Sequence, residues 1–271
     1  MKKKNNPVKI LILTVVSFVY LIPIFVMVLG SFKTKGEAVR FDLSLPEKFQ
    51  WANYEYVIEN GHVITGYMNS ILITTATTLI VLIFGALAGI YVGRRKGKLV
   101  ATVYNYFILG LTVSLQLATT FALLKSLNIY GTRLGVILIN AGMQMPFTVM
   151  TFSSFIKGIP SEIDEAAIID GCGSLKLIFR VLLPVMKPIM VTNLIVTAIN
   201  TWNNFMVPLF YLDSAEKWPI PLMVYNFFGR YARNWNYVFV MLVITILPIV
   251  ILYLCLQKYI VEGMTSGSVK G

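Results

Sequence analysis

The chain has 271 residues, 57% of them hydrophobic and only 13% charged, with a formal net charge of +11. A soluble globular domain carries about 25% charged residues, so this composition excludes one and places the chain in a bilayer. Its basic residues are scattered among loops rather than gathered in a patch, which excludes a nucleic-acid surface and fits a membrane-orientation signal.

Six apolar runs, near residues 8–29, 67–92, 99–123, 134–155, 189–211 and 237–256, are each long enough, at roughly 20 residues, to cross about 30 Å of hydrocarbon. With the N-terminus inside, fourteen of the 23 Lys and Arg fall on the cytoplasmic side and nine outside, which predicts both termini in the cytoplasm. The expected fold is an all-α polytopic membrane protein of six transmembrane helices. Its expected parts are an N-terminal span with an outer segment (1–65), a core of five spans (66–257) and a cytoplasmic tail (258–271).

Met1-Lys2-Lys3-Lys4 precedes the first run, which is too long for a signal peptide and has no small-x-small site after Leu29. It reads as a retained span that Pro23 kinks. In residues 31–66, Trp51, Tyr54 and Tyr56 read either as interfacial aromatics or as part of a small amphipathic helix around 51–58. His62, the single histidine, reads as a solvated loop residue. Cys172 and Cys255 have neither disulfide nor metal spacing.

The second run carries Gly85, Gly89 and Gly93 at a spacing of four, which allows close approach of another helix. Arg94-Arg95-Lys96-Gly97-Lys98 follows as a cytoplasmic clamp. The third run offers Thr112, Gln116, Thr119 and Thr120. The fourth offers Asn140, Gln144, Thr148 and Thr151 within about a quarter of the circumference. The fifth offers the narrower stripe Asn193, Thr197, Asn200 and Asn204. Polar groups in hydrocarbon need partners, so these stripes read as interhelical hydrogen bonds or as a shared polar path. Gln116, Asn140, Gln144, Asn193, Thr197, Asn200 and Asn204 are the candidates for that path.

No run holds Asp, Glu, His, Lys or Arg in its core, which argues against a proton-coupled carrier. There is no G-x-x-x-x-G-K-[ST], and one His with two distant Cys builds neither a triad nor a metal site. Energy for uphill transport must come from another chain.

Between the fourth and fifth runs lies a long polar loop, about 156–188, that is itself built like a helix. Pro160 precedes Ser161, which is placed to exchange capping bonds with Asp164, and Glu162, Asp164 and Glu165 favour the first turn. Ile163, Ala166, Ala167 and Asp170 share one face, and either Gly171 or Gly173 can terminate the helix in a left-handed conformation. Ser174 to Leu182 reads as a second helical piece, with Lys176 and Arg180 on one face and Leu175, Phe179 and Leu182 on another. Pro184 and Pro188 then turn the chain back toward the membrane. Farther on, the outer segment 213–236 holds Trp218-Pro219-Ile220-Pro221, which cannot be regular helix, and Arg230 and Arg233, read as solvated.

The string E-A-A-x-x-D-G from Glu165 to Gly171, then Phe179, Leu183-Pro184 and Pro188, resembles the cytoplasmic coupling loop of permease subunits in binding-protein-dependent ABC importers. It is most similar to the sugar importers of the maltose type. Cys172 stands where that family often has Ala. The tail from Gly263 to Gly271, G-x-T-x-G-x-V-K-G, and the W-N-N-F-x-x-P segment from Trp202 to Pro208 are similar to the same family.

The resemblance implies an importer permease core over 66–257 and a coupling helix at 161–170 seated in an ATPase subunit. Glu165, Ala166, Ala167, Asp170, Gly171 and Pro184 would serve that coupling, and Gly267, Lys270 and Gly271 would reach the ATPase interface. The implied partners are a second homologous permease, a pair of ATPase subunits, an extracytoplasmic solute-binding protein and membrane lipid, with no nucleic acid. This chain would do no chemistry and bind no cofactor, ATP and Mg being held by the ATPase. The implied function is alternating-access import of a sugar or oligosaccharide across a bacterial inner membrane. The alternatives are an importer permease for glycerol phosphate, amino acid or polyamine, and a stand-alone channel.

Overall fold

The computed structural model describes residues 7–228 and 234–266. Among them the chain is helices joined by turns, without a β-strand. In order come α1 (Pro7–Ser31), α2 (Lys35–Ala38), α3 (Ala52–Asn60) and α4 (Val63–Arg94). Next are α5 (Lys98–Thr112), α6 (Leu117–Ser126) and α7 (Arg133–Gly158). The short α8 (Glu162–Ile169), α9 (Ser174–Leu177), a π-helical turn (Ile178–Leu182) and α10 (Leu183–Val185) lead into α11 (Lys187–Trp202). After α12 (Met206–Tyr211) and 3-10 turns at Ala215–Lys217 and Ile220–Phe227 comes α13 (Trp235–Ser266).

Among the described residues, four helices are long and apolar enough to cross a membrane: α1, α4, α7 and α13 over Trp235–Cys255. A fifth is reached if Ser174–Val185 and Lys187–Trp202, bent by 75° to one another, count as one span. By that measure the described residues reach four or five of the six expected transmembrane helices, and two of the expected runs are interrupted. The third apolar run is interrupted at residues 113–116, where Val113 and Gln116 take extended conformations. There the Gln116 amide donates to the Ser114 hydroxyl, and the Gln116 carbonyl restarts the helix by accepting from Thr120 N–H at 3.0 Å. The fifth run stops at Trp202 and resumes only at Met206. Pro23, by contrast, lies within a continuous α1.

The chain divides into two compact units. One comprises Tyr67–Pro219 with Pro248–Gly271. Here α4 and α7 run in the same direction along a seam of small residues. A Cβ at Gly85 would meet Thr148 at 2.7 Å, one at Gly89 would meet Phe152 at 2.5 Å, and one at Gly93 would meet Ile156 at 2.6 Å. The four-residue spacing on α4 is thus matched by four-residue spacing on α7, the small-residue packing that brings membrane helices close. One core cluster gathers Ile73, Leu124, Val136, Ile137 and Tyr211, and another gathers Leu82, Ala86, Ile90, Phe152, Ile156, Leu182 and Met186. The Asn69 amide donates to the carbonyls of Glu216 and Trp218, at 2.8 and 3.0 Å.

The other unit comprises Met1–Gly66 and Ile220–Leu247. Asn53 is its hub: its amide donates to the carbonyls of Ser31 and Lys33, and its oxygen accepts from Asn236, each at 2.9 Å. Lys33 is buried and its ammonium donates to Asp42 and to the Ser44 hydroxyl. Those bonds, Lys33 first and Ser44 second, pull the Asp42 carboxyl down to about 2. The 51–58 segment forms a helix, α3, and Trp51 just before it is exposed. His62 is exposed, with φ of 51°. Arg230, Arg233 and Lys2 to Lys4 lie outside the described residues.

Candidate functional site

Proline at 160 disfavours a helical conformation at the residue before it, and α7 ends accordingly, with Ile159 extended at φ −85°, ψ 128°. The next helix, α8, starts without the reciprocal cap expected from Ser161 and Asp164. Ser161 is itself helical and its side chain makes no capping bond. The Asp164 carboxylate is taken instead by Arg94 at the end of α4. Arg94 Nε lies 2.7 Å from Oδ2, and Nη2 donates to Oδ1 at 3.0 Å. A charge-assisted hydrogen bond within an ion pair is stronger than a neutral capping bond, which explains the exchange.

The other end of α8 forms as expected. Gly171 takes φ of 79°, and Cys172 N–H donates to the Ala167 carbonyl at 2.9 Å while Gly171 N–H donates to Ile168 at 3.0 Å. This pair of bonds is the Schellman arrangement. Gly173 is extended, with φ −71° and ψ 165°, and opens α9.

Of the face expected on α8, only Ala167 is buried; Ile163, Ala166 and Asp170 are exposed, as is Glu165. Ile169 is 85% exposed. The second helical piece forms over Ser174–Leu182 as expected and runs on to Val185, but only its first part is α-helical. α9 is one turn, and the π turn after it re-aims the side chains, so Leu182 is buried while Leu175 and Phe179 are exposed. The 75° bend falls at Met186, between Pro184 and Pro188. Pro184 is exposed in the first turn of α10.

The polar stripes of α7 and α11 meet each other. Asn204 donates to the Asn140 oxygen at 2.7 Å, Asn200 to the Gln144 oxygen at 3.3 Å, and the Thr151 hydroxyl to the Asn193 oxygen at 3.0 Å. Steps of four and seven along α7 are answered by the same steps backward along α11 and into the turn beyond it, so the pairing is antiparallel and in register. Asn140, Asn193 and Thr197 are buried, and the Asn140 and Asn193 oxygens accept interhelical hydrogen bonds. Gln116 and Asn200 are exposed and Gln144 is half-buried. Asn204 also accepts from Val207 N–H at 3.1 Å, which starts α12.

Arg94 was missed as a site residue. Its place at the end of an apolar run marked it only as part of a cytoplasmic clamp, and nothing local names Asp164, seventy residues on. Gly267, Lys270 and Gly271 lie outside the described residues.

The sequence pattern of the family described as "binding-protein-dependent transport system inner membrane component" matches residues 82–266. The chain is 35% identical over 260 residues to a probable ABC transporter permease protein, YurM, of Bacillus subtilis, covering 94% of this chain and 86% of that one. It is 32% identical to the multiple sugar-binding transport system permease protein MsmG of Streptococcus mutans, covering 99% of each. It is 30% identical to the melibiose/raffinose/stachyose import permease protein MelC of Bacillus subtilis, covering 100% of this chain and 99% of that one. The fold is similar to a chain in the crystal structure of a bacterial ABC transporter involved in import of the acidic polysaccharide alginate. The TM-score is 0.82 at 21% identity, over 93% of this chain and 95% of that one.

Proposed function

The chain belongs to the binding-protein-dependent transport system inner membrane components, and from that premise we propose that it moves a sugar or oligosaccharide as the permease subunit of an ATP-driven importer. The observation that carries the substrate class is near full-length similarity to permeases named for sugars, over 99% of the chain in one and 100% in another. Unpaired charge in the spans would favour an ionic solute, and the sequence has none there.

In this reading the chain pairs with a second, homologous permease in the bacterial cytoplasmic membrane, with both termini inside. A solute-binding protein delivers the sugar from outside, and two ATPase subunits hold ATP and Mg. The α8 helix is the coupling helix. Its exposed Glu165, Ala166, Ile169 and Asp170 suit a groove on another protein, and Gly171 sets the turn that presents them. Gln116, Gln144, Asn200 and Asn204, which retain exposed surface, are the amides available to a polar path. ATP-driven closure of the ATPases would displace α8 and switch the permease pair between inward- and outward-facing states by rigid-body motion.

The test is purification of tagged wild-type chain, Glu165→Lys and Gly171→Asp in gentle detergent, with sugar uptake measured in parallel. Wild type is expected to bring down a second permease and an ATPase, and to support ATP-dependent uptake of at least one sugar. Both variants are expected to reach the membrane and lose uptake, Gly171→Asp with loss of the co-purifying ATPase and Glu165→Lys with ATP hydrolysis no longer tied to uptake. Wild-type uptake in both would remove the coupling assignment, and flux without ATP would replace the importer by a channel.

A further inference from the structure

Arg94 joins three segments through one guanidinium. It is the last residue of α4. Its Nη1 donates to the carbonyls of Ile156 and Ile159, at 3.0 and 2.8 Å, at the C-terminal end of α7. Its Nη2 donates to Asp164, in the first turn of α8, and its Nε lies close to the same carboxylate as an ion pair. The two side chains are mostly enclosed, 17% and 15% exposed, so the pair is less screened than a surface one. The neighbouring cations Arg95, Lys96 and Lys98 are exposed. Only a planar fork with several fixed donors can serve both carbonyls and a carboxylate, which a lysine ammonium cannot do in the same geometry.

The rest of α8 is lightly held. Ala167 is its only buried residue. The tie through Arg94 therefore governs where α8 stands against the ends of α4 and α7, whose glycine seam begins one residue earlier, at Gly93.

We propose that Arg94 is a positioning residue for energy coupling: through Asp164 it passes a displacement of α8 into the paired α4 and α7, instead of letting the loop absorb it. The proposal rests on the reading of α8 as the coupling helix.

The experiment uses the importer assembled with its partners in proteoliposomes, and reads sugar taken up per ATP hydrolysed. It compares wild type with Arg94→Ala, Arg94→Lys, Asp164→Asn and Glu165→Lys. Arg94→Ala is expected to lower that ratio by about tenfold, inside the 5–150-fold range typical of coupling between sites. Arg94→Lys and Asp164→Asn are expected to fall between it and wild type, because each leaves part of the tie.

A role in folding alone would reduce the amount of assembled importer and leave the ratio of the remainder unchanged, and that result overturns the proposal. Should Arg94→Ala fail to assemble, Asp164→Asn decides, since it leaves both bonds to α7: a severalfold lower ratio supports the proposal and a wild-type ratio overturns it. If Glu165→Lys loses the ratio while the Arg94 and Asp164 variants keep it, this proposal fails alone. If all variants keep it, the coupling-helix reading fails as well.

Discussion

At Gly89, in the seam between α4 and α7, an added Cβ would lie 2.5 Å from the Phe152 side chain and 3.2 Å from the Ser153 backbone nitrogen; at Gly171, behind α8, it would meet nothing within 4 Å. Both positions need glycine, for unrelated reasons. In the seam the requirement is space, because two helices interlock there. In the loop it is backbone conformation, because φ is 79°. The contrast runs through the whole unit. Where side chains interlock, the residues hold the fold; around α8 very little interlocks, and apolar residues such as Ile169 and Leu175 are left exposed. Substitutions in the first region should be read in folding, and those in the second in what the folded chain can do.

The largest effect should come from Gly89→Val. Overpacking a close contact costs about 1–3 kcal/mol, and here backbone as well as side chain stands in the way. The chain should fall in membrane abundance and in the unfolding temperature of the detergent-solubilised protein. A wild-type unfolding temperature would break the comparison at its stronger end. Gly171→Asp strains one residue by roughly 1–2 kcal/mol, confined to a loop that carries little of the fold. Its unfolding temperature should therefore stay near wild type while uptake is lost.

A smaller effect is expected from the amide pairs. An interhelical hydrogen bond in a membrane protein averages about 0.6 kcal/mol and reaches about 1.7. A double-mutant cycle of Asn140→Leu and Asn204→Leu, followed by unfolding, should return a coupling energy of about that size. No coupling would mean that the contact between the two amides carries no stability.

The smallest effect concerns the polar segment that, unlike α8, is tied to itself. Asp42 falls from 3.8 to about 2 in the folded chain, chiefly through Lys33. A depressed carboxyl stabilises above its unfolded value and loses that contribution as pH falls through the folded one. Wild type should thus lose stability between about pH 4 and pH 2, and Asp42→Asn should be less stable at neutral pH with a shallower acid slope in that window. Equal slopes would show that the bond does not persist.

The sequence reading went furthest where the pattern is periodic and local. The glycine spacing at 85, 89 and 93 announced a tight seam, and Gly171 announced a helix end; both formed. The amide stripes on α7 and α11 were visible, but their mutual pairing was not, because periodicity gives a face and not the neighbour that face meets. The break at 113–116 was hidden because Val113 and Leu115 keep the run apolar across it, although Val113 and Gln116 are extended. The cap at Ser161 was misread because the competing partner of Asp164 is remote in sequence. Local rules described what Asp164 could do nearby, and a guanidinium at closer range in space prevailed.

The three bonds between α7 and the α11 side bear on stiffness. Sliding one helix along the other by a single residue, about 1.5 Å with a rotation of about 100°, would take Asn140, Gln144 and Thr151 off their partners at the same moment. Shear is therefore resisted by all three together, while the bend at Met186 is held by packing, with Leu182 and Met186 buried against Phe152 and Ile156. The pair should behave as one bar: a push on the loop leaves the bar's length and register unchanged, and its tilt is what can respond.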